Sequence, residues 1–149
     1  MKNLTQSQLE HQAFLLANTI VSPCVIALWG DMGAGKSTFA RAFIQSLLPG
    51  IEVPSPTFTL IQTYDTLKGE IWHCDLYRLK NQEDIEELGL LEAFRQHICL
   101  VEWPERLGDF LPNFRYGFCF LKSGFRFYGA FCKFELLTIL RLAQDLVVW

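Results

Sequence analysis

Gly30-Asp31-Met32-Gly33-Ala34-Gly35-Lys36-Ser37 matches the phosphate-binding pattern G-x-x-x-x-G-K-[ST] at every constrained position. Glycines let such a loop fold tightly, so that successive N–H groups converge on an anion, and the following helix N-terminus adds its partial positive charge. Asp31, Met32, Gly33, Ala34, Gly35, Lys36, Ser37 and Thr38 are therefore the expected cradle for a nucleoside triphosphate. In that chemistry Lys36 reaches the β- and γ-phosphates, and the Ser37 hydroxyl takes one position on Mg²⁺.

A phosphate loop binds; hydrolysis asks for acids. Metal orientation and water positioning require a carboxylate at the end of a neighbouring apolar strand. Glu102 directly follows Ile98-Cys99-Leu100-Val101, the setting of a Walker-B acid. Asp75, in His73-Cys74-Asp75-Leu76-Tyr77-Arg78, is the second candidate. Spacing alone leaves Asp75 open between a catalytic role and a strand-end pairing with Arg78. Arg78 is likewise open between transition-state stabilisation and a surface salt bridge. Strand alternation puts His73 and Asp75 on one face, with Trp72 and Cys74 on the other. His73 reads as a structural hydrogen-bonding residue, and Trp72 and Trp103 as core packing.

The elements that must position these groups are legible around them. Cys24 to Trp29 is an apolar run of buried-strand length, and Thr38 to Ile44 begins a helix with Phe39, Phe43 and Leu47 on one stripe. Thr5-Gln6-Ser7-Gln8 has the form of a capping box for a preceding helix that ends before Pro23. Pro49-Gly50 stops the second helix, and Val53-Pro54-Ser55-Pro56 is an ordered loop. Thr57 to Tyr64 and Glu70 to Leu76 are expected as strands of a β-hairpin around Asp65 to Gly69. Asn81 is expected to cap a helix whose inner face carries Ile85, Leu88 and Leu91. Ile98 to Val101 follows as a strand, broken by Pro104. This alternation predicts an α/β fold: a mainly parallel sheet flanked by helices, with an antiparallel hairpin and the ligand at the strands' carboxyl ends.

Composition limits the function classes. The chain has 149 residues, enough for one domain, and its mean hydropathy of +0.18 is high. No apolar run reaches the roughly 18 to 20 residues that span a bilayer, and Met1 to Gln6 lacks the apolar core of a signal peptide. The cytoplasm is the expected location, without membrane association. A net charge of −3 argues against this chain being the main nucleic-acid surface of any assembly. Cys24, Cys74, Cys99, Cys119 and Cys132 form no C-x-x-C pair and read as reduced core thiols.

Together, the phosphate loop, Ser55-Pro56-Thr57-Phe58, His73-Cys74-Asp75-Leu76-Tyr77-Arg78-Leu79 and Glu102-Trp103-Pro104-Glu105 resemble the bacterial TsaE (YjeE) family. Order and spacing agree from about Thr5 to Pro112. The resemblance implies a small ATPase of the P-loop class needed for threonylcarbamoyladenosine formation in tRNA. It implies that Ser37 and Glu102 serve Mg²⁺, with Asp75 the catalytic acid near the γ-phosphate. Thr57 then falls in a nucleotide-sensing switch loop, and Trp103 in a Glu-Trp signature near the nucleotide. Ser37 stands where threonine is usual; either hydroxyl ligates Mg²⁺. TsaD and TsaB are the implied partners, and tRNA is met only through them.

Residues 113–149 depart from the family pattern. Phe114, Phe118, Phe120, Phe125, Phe127, Phe131 and Phe134 crowd together, and no acid lies between Asp109 and Glu135. Alternation of Tyr116, Phe118 and Phe120, with Lys122-Ser123-Gly124 as a turn into Phe125 and Phe127, suggests a second hairpin. Leu136 to Trp149 is apolar nearly all round if helical. A divergent hairpin and helix that complete the core or dock on a partner, or a tail read in a shifted frame, both fit. Two other functions share the loop: a small-molecule kinase, whose expected arginine-rich pocket and lid are missing from the sequence, and a nucleotide-binding module without turnover. No guanine-reading Asn-Lys-x-Asp is visible, which makes ATP the expected nucleotide.

Overall fold

Strands buried on both faces favour unbroken apolar sequence, as in Cys24 to Leu28 and Ile98 to Val101. A computed structural model describes residues 5–121 and the strand 124–130. In it, Cys24–Gly30 (β1), Gly69–Asp75 (β3), Ile98–Glu102 (β4) and Tyr116–Leu121 (β5) lie parallel at the centre of a six-stranded sheet. Ile61–Thr66 (β2) pairs antiparallel with β3, and Gly124–Ala130 (β6) antiparallel with β5. The order is β2-β3-β4-β1-β5-β6, so a hairpin forms each edge of the sheet.

Helices cover both faces. Gln6–Thr19 (α1) and Lys36–Leu47 (α2) pack on one, where Leu16, Phe39, Phe43, Ile26, Leu28, Ile71, Ile98, Phe118 and Phe120 form a single core cluster. Glu83–Glu87 (α3), Leu90–Gln96 (α4) and the 3₁₀ segment Pro104–Phe110 pack on the other, around Cys74, Leu76, Ile85, Cys99, Val101 and Leu107. The expected capping box holds α1: Gln8 N–H donates to Thr5 Oγ1 at 3.2 Å, and Thr5 N–H to Gln8 Oε1 at 2.9 Å. Fully burying Phe39 contributes about 1.5–3 kcal/mol. Its ring also lies 5.3 Å from Phe118 and 5.6 Å from Phe120, which ties α2 to β5.

The mainly parallel α/β sheet flanked by helices is as the sequence predicts, and local details differ. Strand β2 begins at Ile61, because Thr57 to Leu60 form a turn closed by the Leu60 N–H donating to Pro56 O at 2.7 Å. Asn81 caps nothing with its side chain; its N–H instead donates to Asp84 Oδ2 at 3.3 Å. The helix expected after it is two short helices, split where Gly89 turns left-handed at φ +73°. Leu90 and Ala93 are buried beyond that break, along with the expected Ile85. The second hairpin forms through β5 and β6, while the Lys122-Ser123 turn, Cys132 and the apolar stretch Leu136 to Trp149 lie outside the described residues. No helix among the described residues is long and apolar enough to cross a membrane.

Candidate nucleotide site

Parallel strands in register bring their carboxyl ends level. Leu28 pairs with Glu102, and Glu102 with Asp75, so the loop that leaves β1 faces the acids that end β4 and β3. That loop leaves β1 at Gly30, whose φ of +141° disfavours a side chain and where a Cβ would stand 2.5 Å from the Phe120 carbonyl oxygen. The aromatic β5 thus abuts the start of the phosphate loop. At its other end Gly35 (φ +110°) precedes α2, packed against Leu9 and Phe120.

Lys36 is 4% exposed. Its Nζ donates to the carbonyls of Gly30 at 2.5 Å and Asp31 at 2.7 Å, and lies 4.2 Å from the centroid of the Trp103 ring. Burial lowers its pKa from the usual lysine value, against the pull of Glu102, Glu105, Asp75 and Asp31. Ser37 Oγ donates to Glu102 Oε2 at 2.8 Å. Glu102 is 2% exposed, and its other oxygen, Oε1, lies 2.8 Å from His73 Nε2. Asp75 is 4% exposed and accepts from Thr57 Oγ1 at 2.9 Å and from Tyr77 N–H at 3.1 Å.

Among the described residues two other than glycine have positive φ, Leu60 at +65° and Trp103 at +59°, and each adjoins one of these acids. Leu60 O accepts from Asp75 N–H at 2.9 Å. Trp103 turns the chain immediately after Glu102, and its ring rests 4.9 Å from that of Tyr77. Such strained conformations concentrate at functional sites and persist because the surroundings over-determine them.

Lys36, Ser37, Glu102 and Trp103 therefore meet, with Asp75 and Thr57 beside them. Asp31, Met32 and Gly33 are exposed, while Ala34, Gly35 and Thr38 are partly buried. Asp75 bonds to Thr57 and Tyr77, and the Arg78 guanidinium lies 4.2 Å over the Phe58 ring. Trp72 matches its core expectation, stacked on His97 at 5.7 Å. Trp103 packs against the same apolar cluster as Trp72, and its ring also carries the lysine. Ser55, whose Oγ lies 2.8 Å from Thr57 Oγ1, and Tyr77, whose N–H bonds Asp75, belong to the two motifs that carry the family resemblance, which assigns neither a separate role.

The donor set suits Mg²⁺. A serine hydroxyl and a glutamate oxygen are hard ligands held 2.8 Å apart. That ion takes one or two protein oxygens and completes its shell with phosphates and water. Among the described residues no group of three or more His, Cys, Asp or Glu could form a closed protein cage for a metal.

The family model described as "Threonylcarbamoyl adenosine biosynthesis protein TsaE" matches residues 4–124. A relative from Rickettsia bellii, named tRNA threonylcarbamoyladenosine biosynthesis protein TsaE, is 40% identical over 110 residues, 73% of this chain and 76% of that protein. A Bacillus subtilis protein of the same name is 40% identical over 101 residues, 67% of this chain and 63% of its own length. The chain spans little more than half, 55%, of a Rickettsia felis relative to which it is 45% identical. Among solved structures, YdiB from Bacillus subtilis superposes with a TM-score of 0.73 at 29% identity, covering 98% of this chain and 91% of that one.

Proposed function

Because the chain belongs to the TsaE family of threonylcarbamoyladenosine biosynthesis, we propose that it is that pathway's ATP-binding and ATP-hydrolysing subunit, dependent on Mg²⁺ and acting with TsaD and TsaB. The observation that carries this reading is the 2.8 Å bond from Ser37 Oγ to Glu102 Oε2, which joins the phosphate loop to the acid ending β4.

In this reading Ser37 and Glu102 hold Mg²⁺, which supplies charge neutralisation on the phosphates and orients them. The amides from Gly33 to Thr38 cradle the phosphates, aided by the α2 N-terminus. Lys36 adds the positive charge that bridges to the outer phosphates, with Trp103 holding its ammonium from below. Asp75 orients the attacking water through a carboxylate that the Thr57 hydroxyl and Tyr77 N–H hold in place. The Thr57 contact also links Asp75 to the loop carrying Ser55 and Phe58, giving a nucleotide-bound state a path to an exposed surface. A net charge of −3 suits a subunit whose partners hold the tRNA.

The test is ATP hydrolysis by the purified chain, alone and with a TsaD–TsaB complex, for wild type and Glu102→Gln. Stimulation of the wild type by the complex, lost in the variant, is the expected result. ATP binding without turnover in either condition would instead indicate a silent nucleotide-binding module. Transfer of the γ-phosphate to a metabolite would indicate a kinase.

A further inference from the structure

We propose that His73 is a positioning residue for Glu102, donating from Nε2 to Oε1 so that Oε2 stays turned toward Ser37. The inference rests on the reading of Ser37 and Glu102 as the cation-holding pair.

Three observations support it. First, the two oxygens of Glu102 have separate partners, His73 Nε2 at 2.8 Å and Ser37 Oγ at 2.8 Å, which fixes the plane of the carboxylate from both sides. Second, the contact lies in the interior: His73 is 1% exposed and Glu102 is 2% exposed. A hydrogen bond to a charged acceptor is strongest where water cannot compete. Third, His73 Nδ1 is buried with no partner. A proton on Nδ1 would leave a buried N–H unsatisfied and turn a lone pair of Nε2 toward the carboxylate, so the geometry selects the tautomer with its proton on Nε2.

Packing alone does not account for this side chain. Ile71 occupies the same face of β3 two residues earlier and belongs to the apolar core. An apolar residue at 73 would fill the space without a ring nitrogen left unpaired. What the imidazole adds is a donor at the reach of Nε2.

Isothermal titration of ATP into the purified chain, in Mg²⁺ and in EDTA, tests this with His73→Leu, His73→Gln and His73→Asn. Wild type is expected to bind more tightly in Mg²⁺. His73→Leu should lose about ten- to a hundredfold of that Mg²⁺-dependent gain, as outer-shell substitutions do, and bind as wild type in EDTA. His73→Gln carries its amide N–H about as far out as Nε2 and should retain most of the gain. The shorter His73→Asn should not. If His73→Leu fails to fold, the Gln and Asn pair still decides the matter. A full Mg²⁺ gain in His73→Leu, or equal gains in Gln and Asn, would overturn the proposal. A wild type with no Mg²⁺ gain would overturn the Ser37–Glu102 reading itself, and the proposal with it, which separates the two failures.

Discussion

The two ends of the central strands differ more than the two faces of the sheet do. At the amino ends Cys24, Ile71 and Ile98 sit in register and are buried among other apolar groups. At the carboxyl ends of the same strands, Leu28 has Glu102 beside it and Glu102 has Asp75. Of the five buried polar or charged side chains among the described residues, Lys36, His73, Asp75 and Glu102 gather at this carboxyl end. One end holds the sheet together with apolar area. The other tolerates desolvated charge because each group has fixed partners, and a buried charge that loses its partner is costly. Apolar burial thus runs the length of the strands, Leu28, Val101 and Phe120 included, whereas buried charge gathers at their carboxyl ends.

Substitutions at either end test that division. The largest effect is expected from Lys36→Ala, which removes the cation above Trp103. Turnover with partners should fall about a hundred- to a thousandfold, the range seen when one preorganised charge-stabilising donor is lost, while the urea midpoint does not fall. Next comes Ile98→Ala, at the amino end of β4, fully buried between Cys24 and Ile71. It should lower stability by about 3 kcal/mol in urea denaturation, with ATP affinity of the folded protein unchanged. A matching fall in affinity would show that the two ends are not independent. Lys68 is a milder case: from the β2–β3 turn its Nζ donates to Ala17 O at 2.8 Å and Ile20 O at 3.1 Å, capping the end of α1. Lys68→Ala should lower stability by about 1 kcal/mol and leave nucleotide binding intact.

The smallest effect is a pH dependence. Because burial lowers the Lys36 pKa, the unfolded chain binds more protons than the folded one in the window below pH 10.5, and this group's contribution to stability rises with pH there. Lys36→Met should be more stable than wild type at pH 7, with its advantage shrinking as pH approaches 10.5. Burial pushes the Cys99 thiol up to about 12, and the Cys74 thiol also rises. Those groups make stability fall above pH 9 in both proteins, so they cancel in the comparison of urea midpoints. A gap that stays constant with pH would mean that Lys36 is not desolvated.

Legibility followed the range of the interactions. The phosphate loop, the α1 capping box and the apolar strands are local patterns, readable because backbone geometry and periodicity act over a few residues. Glu102 was readable as well, since an acid closing an apolar strand has few other uses. The turn at Thr57 to Leu60 was not readable, because it depends on a leucine held at positive φ by contacts with Pro56 and Asp75. Gly89 gave a weak signal for the break between α3 and α4, since an isolated glycine is tolerated inside a helix. The aromatic run in β5 read as a departure from its family, yet Phe118 and Phe120 are core residues against Phe39, and Phe120 supports the phosphate loop.

By itself the sequence determined that this chain carries a strand, a glycine-rich loop and a helix in succession, and that two acids end neighbouring strands. Those are properties of short segments. Tertiary structure alone decided that Ser37 and His73 take one oxygen each of Glu102, that Thr57 holds Asp75, and that Trp103 lies under Lys36. Each of those contacts crosses from one element to another. Its geometry depends on strand register and on side chains excluded from water, neither of which any short window of residues contains.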